Sequence, residues 1–385
     1  MTVETASDVI IVGGGIIGLA CACRAAQAGL SVQLVDERPG QGASHVAAGM
    51  LAPVTEATFG EHELATMSVA SARRWPAFAA ELEAASDSDI GYRDHGTLLV
   101  GATADDTAIL RELAEYHQRL ALNSSWMTSR SCRKVEPLLG PRIAGGLHAT
   151  DDHQVDPRRV VAALHTAAEG AGVTFVPANV AGIEQQHGAV TGVRLAARQL
   201  LEAPQVVLAA GVGSAPAIAG LSNVEVPVRP VKGELLVLGP RPGVDVPQMT
   251  VRALVRGRPV YVAPRRDGRV IVGATQHEQH DTTVTAGGVR QLLDAAATVV
   301  PAIDELAVIE TLAGVRPATP DNLPLVGPSH LDGLTIATGH YRNGVLLAPI
   351  TAEAVAKTLT GDRMLPELGP AGPRRFTANT QVGAL

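Results

Sequence analysis

Residues 8–36, Asp8-Val9-Ile10-Ile11-Val12-Gly13-Gly14-Gly15-Ile16-Ile17-Gly18 running on to Leu34-Val35-Asp36, leave this chain little choice of local fold. Residues 9–12 are an unbroken β-branched run, which suits a parallel strand covered on both faces. The glycine turn that follows opens an apolar helix over residues 16–28, Gly29 stops it, and residues 31–35 are apolar again. Strand, turn, helix and strand form one βαβ unit that ends in an acid, Asp36. Each glycine has a reason: Gly13 tightens the turn, Gly15 lets backbone approach a pyrophosphate, and Gly18 lets helix and strand pack closely. The helix N-terminus favours phosphate charge, and Asp36 can accept hydrogen bonds from an adenosine ribose. A bound dinucleotide is therefore expected.

At 385 residues and 46% hydrophobic content, the chain can bury the core of two domains, or of one elaborated domain. Its net charge of −7 leaves no basic stripe for a phosphate backbone, so nucleic acid is not expected as a partner. Residues 1–7 lack the positive region of a signal peptide and no run of eighteen apolar residues occurs, so a cytoplasmic protein without a membrane span is expected. The three cysteines are read as reduced thiols. Cys21 and Cys23, about 200° apart around the first helix, are packing residues.

Residues 42–53 combine small side chains with an apolar turn, as a wall against a flat cofactor would. His45 within it is read as a hydrogen-bonded structural residue, not a covalent attachment point. Residues 63–84 and 107–120 have helical periodicity and predict one amphipathic helix each, with a strand at 96–101 between them. Strict βαβ alternation stops here, so a second domain begins near Ile90. His148, Asp151, Asp152 and His153 cluster, but Asp156-Pro157 reads as the N-cap and first turn of the next helix, which explains the polarity without a metal. No metal site is predicted.

Residues 160–171 predict a helix, and 173–176 and 190–195 strands. Residues 205–208 form another apolar strand ending in a second glycine turn at Gly211. Residues 227–238, 260–263 and 269–273 predict an antiparallel sheet. Residues 276–281, rich in His and Glu, are read as a solvated loop. Residues 334–338 are a third parallel strand, which Gly339-His340-Tyr341-Arg342-Asn343-Gly344 turns into a helix over 345–359. Past residue 366 a Pro-, Gly- and Arg-rich tail is expected to fray.

With the first glycine motif, Ala47-Ala48-Gly49-Met50-Leu51-Ala52-Pro53, Ala313-Gly314-Val315-Arg316-Pro317 and Gly339-His340-Tyr341-Arg342-Asn343-Gly344 in hand, the sequence resembles the glycine oxidases of the D-amino-acid oxidase family over nearly its whole length. The arginine-bearing pair of motifs is the specific part. The resemblance implies an α/β fold in which a Rossmann-like FAD-binding domain (1–89, 151–225, 306–365) is interleaved with an antiparallel-sheet substrate domain (90–150, 226–305), with 366–385 as a tail. It implies non-covalent FAD touched by Gly13, Gly15, Ile16, Ile17, Gly18 and Asp36, by Ser44, Ala47, Ala48, Gly49 and Met50, by Val180, Ala210 and Gly211, and by His340, Arg342, Asn343, Gly344, Val345 and Leu346. It places Tyr261 and Arg316 at the carboxylate of the substrate, with Arg342 beside them near the flavin.

The activity so implied is oxidation of glycine and similar small amino acids with molecular oxygen as acceptor, a role in thiamine thiazole synthesis beside the other thiazole-forming enzymes, and a homotetramer. The residues agree with that chemistry. Once its amine is neutral, an α-amino acid needs chiefly to be oriented, and planar guanidinium forks do that by bidentate capture of the carboxylate. The helix over 345–359 would aim its N-terminal amides at the reduced flavin. Gln276 and Pro259 stand where the family often carries Met and His. Sarcosine oxidases with covalent flavin need a C-terminal cysteine, absent here beyond Cys132. D-amino-acid dehydrogenases and oxidases are the nearer alternatives, and a non-catalytic redox sensor is the alternative of another class.

Overall fold

The computed structural model describes residues 7–221 and 224–376. The expectation for the first six residues, and that for the tail beyond 376, lie outside the described residues. The first βαβ unit forms as the sequence predicts: β1 (Val9–Val12), α1 (Ile16–Gln27) and β2 (Val32–Val35), with β1 and β2 parallel in register Val9↔Val32 to Val12↔Val35. β1 is central in a six-stranded sheet, flanked on its other side by the parallel strands Gln205–Leu208 and Leu334–Thr338. Alternation along β1 sends Val9 and Ile11 into the core shared with the helices α1, Pro157–Gly170 and Gly344–Leu359. Ile10 and Val12 enter a second core under a small antiparallel sheet of strands Val180–Gln186, Ala189–Leu195 and Leu200–Glu202. A strand buried on both faces has no polar side to show, which is why its sequence does not alternate.

The other half of the molecule is an eight-stranded sheet. Across it run Ala307–Ala318, Arg229–Gly239, Val270–Gly273, Arg258–Pro264, Thr250–Val255, Thr97–Gly101, Gly145–Ala149 and Ser124–Thr128. All neighbours are antiparallel except Thr97–Gly101 beside Thr250–Val255, where two distant segments meet in the same direction. The two-residue period again sorts the faces. Leu236, Leu238, Val260, Val262 and Val272 pack under the helix Ala286–Val299, while Leu235, Val237 and Ala263 pack against Val46, Ala48 and Met50. The small-residue wall at 46–50 is thus clasped between the two halves.

Two expectations are corrected. Residues 63–84 are not one helix but two, His62–Ala72 and Trp75–Ser86, because Pro76 lacks an N–H and its ring would strike the carbonyl four residues earlier. The chain breaks at Arg73-Arg74 and restarts with the proline in its first turn. The segment after 366 does not fray: Pro366–Ala371 and Pro373–Phe376 are 3₁₀ turns, Leu368 and Ala371 are fully buried, and Arg375 forks onto both carboxylate oxygens of Asp321 at 2.8 and 3.0 Å. Among the described residues no helix is long and apolar enough to cross a membrane.

Candidate active site

A single cavity of about 640 Å³ runs from the carboxyl ends of β1 and its two parallel neighbours to the inner face of the large sheet. Ligands of open α/β sheets bind at this end of the strands. Of the twenty cofactor-side positions and two further substrate-side positions singled out in the sequence, only Gly18, Val180 and Leu346 do not line it. Gly18 lies beneath, where any Cβ would run into the Gly13 carbonyl. Leu346 is core, its carbonyl accepting from Trp75 Nε1 at 2.9 Å, and Val180 starts a strand of the small sheet.

At one end Gly13 has φ +106°, and a side chain there would press on the Ala209 carbonyl at 2.6 Å. The turn is therefore open to glycine alone. α1 begins at Gly15 without a side-chain cap of its own, and Ser44 Oγ accepts from Ile16 N at 3.0 Å. Asp36 holds the turn from below, accepting from Gly14 N at 2.6 Å through Oδ2 and from Arg38 N at 2.7 Å through Oδ1. Gly211, at φ +57°, makes the second glycine turn, and its carbonyl accepts from Thr338 Oγ1 at 3.2 Å.

The last strand turns into the helix Gly344–Leu359 through a tight corner. Tyr341 sits at φ +48°, a left-handed conformation that a non-glycine residue adopts at a cost and that clusters at functional sites. His340 is buried with Nε2 3.0 Å from Thr351 Oγ1, and burial pushes its imidazole down to about 3, so it is neutral. The Asn343 side chain does not cap the helix, so the first amides face the cavity beside Gly344 and Val345.

At the other end the large sheet brings together residues far apart in sequence. Arg252, Tyr261 and Gly273 are cross-strand partners on three neighbouring strands, and Gly233 lies on the next strand but diagonal to Arg316. The two glycines are seats: a Cβ at Gly273 would overlap the Tyr261 hydroxyl, and one at Gly233 would overlap the Arg316 guanidinium. Arg316 and Tyr261 therefore lie flat across the sheet and share one corner of the cavity. Burial pushes the Tyr261 phenol up, against the opposing pull of Arg316 and Arg265, and keeps it a neutral donor.

The three cavity arginines differ in their partners. Arg252 Nη1 lies 2.6 Å from Glu56 Oε1, and Arg342 Nε lies 2.8 Å from Glu56 Oε2, an ion pair without in-line hydrogen-bond geometry. Arg342 Nη2 also meets Glu61, which in turn accepts from Asn322 Nδ2 at 2.7 Å. Burial works against the Arg342 charge, but Glu56 and Glu61 outweigh it and hold the guanidinium above its ordinary value. Two cations and two anions cancel in this chain. Arg316 has no carboxylate within ion-pair reach among the described residues; its one protein hydrogen bond is a long one, Nη1 to the Thr275 carbonyl at 3.4 Å. The cavity thus keeps one uncompensated cation.

Glu56, Glu61, Arg252, Gly233 and Gly273 were not singled out by sequence reasoning. The glycines did leave a signal, since a glycine interrupting an apolar strand often marks a close approach. The polar cluster at 148–153 is drawn apart, and no group of three or more His, Cys, Asp or Glu among the described residues could hold a metal. Asp152 instead is buried under the cavity floor, accepting from Val54 N at 2.8 Å and Thr55 N at 3.1 Å, and burial pushes its carboxyl up to about 6 despite these bonds. His153 pairs with the Tyr92 hydroxyl at 2.6 Å, and Asp156 caps Pro157–Gly170 as expected. The loop 276–281 is exposed as expected, but it is tied at both ends: Lys232 exchanges backbone hydrogen bonds with His277, and its buried amine meets Asp281 at 2.7 Å. Gln276 faces the cavity.

Residues 8–358 match the family model described as FAD dependent oxidoreductase. The bifunctional protein ThiO/ThiG of Synechocystis sp. is 37% identical over 99% of this chain and 56% of its own length, so the chain spans about half of that relative. The glycine oxidase of Geobacillus kaustophilus is 33% identical over 97% of this chain and 98% of its own. The crystal structure of glycine oxidase from that organism superposes with a TM-score of 0.88 at 32% identity, covering 95% and 98% of the two chains.

Proposed function

The chain belongs to the FAD dependent oxidoreductase family, and from that premise we propose that it oxidatively deaminates glycine and similarly small amino acids, with oxygen as acceptor. It is an FAD-dependent enzyme of the amino-acid-oxidase type. The residues present suit FAD: the glycine cradle at Gly13, the start of α1 with no side-chain cap from Gly15, Asp36 beneath the turn and the uncapped start of Gly344–Leu359 fit its two halves in turn. FAD, when bound, takes up the two electrons that the substrate loses. The protein's own work is to hold the substrate. Arg316 offers parallel N–H groups to a carboxylate and Tyr261 adds a neutral O–H beside it, so the substrate is fixed at one end with its α-carbon turned into the cavity.

The observation that carries this reading is the single uncompensated guanidinium beside a neutral phenol, a seat for one carboxylate. Arg342 then serves through Glu56 and Glu61 and does not meet the substrate carboxylate first. A similarity to proteins named ThiO/ThiG supports a place in thiazole formation beside the enzymes of that step; the homotetramer and the interleaved domains are proposed from the resemblance in sequence alone. Anaerobic glycine should bleach the yellow holoenzyme, and a peroxide assay over glycine, sarcosine and small D-amino acids should rank its substrates. A flavin that none of these reduces would sink the proposal.

The flavin is expected to be non-covalent: His45 does not line the cavity, and all three cysteines are buried outside it. Acid precipitation should release the yellow colour to the supernatant, and colour kept in the pellet would contradict this. For Asp36→Ala, loss of the Gly14 and Arg38 hydrogen bonds should loosen FAD binding by about tenfold. Substrate preference should stay as it was. Unchanged flavin retention on dialysis would show that the carboxylate does not hold the turn.

A further inference from the structure

We propose that Glu56 receives the amino end of the substrate and is the residue that separates amines from other small carboxylic acids. The inference rests on the reading of Arg316 and Tyr261 as the carboxylate seat. A carboxylate seat alone accepts any small acid, so something else must recognise the nitrogen. Among the described residues only two acids line the cavity, Asp36 and Glu56. Asp36 stands at the glycine turn and is engaged by the Gly14 and Arg38 amides.

Glu56 stands at the substrate end. Its neighbour Arg252 is the cross-strand partner of Tyr261, and Glu56 and Arg316 both bear electrostatically on the Tyr261 hydroxyl. The Glu56 side chain keeps 15% exposure while it lines the cavity. Its two oxygens spend one contact each on Arg252 and Arg342, whereas a carboxylate offers about four lone-pair positions. Capacity for an N–H donor remains. The backbone before it is pinned as well, since Val54 N and Thr55 N both donate to the buried Asp152. Glu56 is thus oriented from two sides before any ligand arrives, and little ordering remains to oppose binding.

An amine meeting this carboxylate makes a charge-assisted hydrogen bond, while a hydroxy acid of the same size offers the same carboxylate and only a neutral O–H. The test compares glycine with glycolate on the holoenzyme. For Glu56→Gln, the KM for glycine should rise about 10- to 100-fold, and the Kd of glycolate, read from its perturbation of the flavin spectrum, should stay within about twofold. Should Glu56→Gln fail to hold flavin, Glu56→Asp keeps the charge but draws it back, and the same divergence between glycine and glycolate is expected. Equal weakening of both ligands would mean that Glu56 only holds Arg252 and Arg342 in place, and no weakening of glycine would mean that it does not meet the amine; either result overturns the inference. If wild type is reduced by no small amine at all, it is the proposed function that fails, and the two failures are told apart.

Discussion

Replacing Arg316 by alanine is expected to lower kcat/KM for glycine by about 10²-fold or more while the flavin stays bound. Among the described residues the guanidinium is the one cavity cation without a carboxylate partner, so its charge is free for the ligand. A substrate carboxylate meets it through two parallel N–H bonds, each contributing about 1.5–3 kcal/mol when charge-assisted. Lysine presents a point charge on a different stem, so Arg316→Lys should fail nearly as badly. The residue lies on the large sheet, away from Gly13 and α1, and flavin content should therefore hold. A simple amine without a carboxylate should be a poor substrate of both proteins, with a much smaller gap between them. If Arg316→Ala instead loses flavin and stability but keeps its apparent affinity for glycine, the arginine is structural and the seat lies elsewhere.

Gly233→Ala should reproduce much of that loss without touching any charged group. The added Cβ would fall within the space of the Arg316 guanidinium. That guanidinium is the far end of a flexible side chain, so the fold can yield there by swinging it aside, and the strand Arg229–Gly239 need not move. A displacement of about 1 Å in a substrate-positioning group can cost on the order of 10²-fold. We expect kcat/KM for glycine to fall by about 10- to 100-fold, melting temperature and flavin content to remain near wild type, and the double variant Gly233→Ala/Arg316→Ala to be little worse than Arg316→Ala alone, because both act on one contact. Full additivity of the two losses would refute the seat.

How much of this was legible beforehand depended on how local the physics was. The βαβ unit was, because a β-branched run, a glycine turn and an apolar helix over residues 9–36 each state their conformation within a few neighbours. The same holds for the Asp156 cap and for Gly339 to Gly344, where the turn and the helix start are written in adjacent residues. The break at Arg73-Arg74 was equally local, carried by Pro76, but the helical periodicity on either side of it masked the signal. The order at 366–376 was not local at all: it comes from Leu368 and Ala371 entering the core and Arg375 finding Asp321, fifty-four positions earlier.

By itself the sequence determined the dinucleotide cradle, the two cavity-facing turns and the candidacy of Tyr261, Arg316 and Arg342. Only the tertiary structure decided which arginine keeps its charge. Arg316 and Arg342 both stand in glycine-bearing motifs of the C-terminal third, and nothing near either one in sequence marks a partner. Glu56 and Glu61 reach Arg342 from nearly three hundred residues away, and Arg252 reaches Glu56 from almost two hundred. Gly233 and Gly273 clear the sheet for side chains that other strands supply. Charge compensation acts through space over a few ångströms, while sequence records only neighbours along the chain; the free cation in this cavity is a property of the folded sheet.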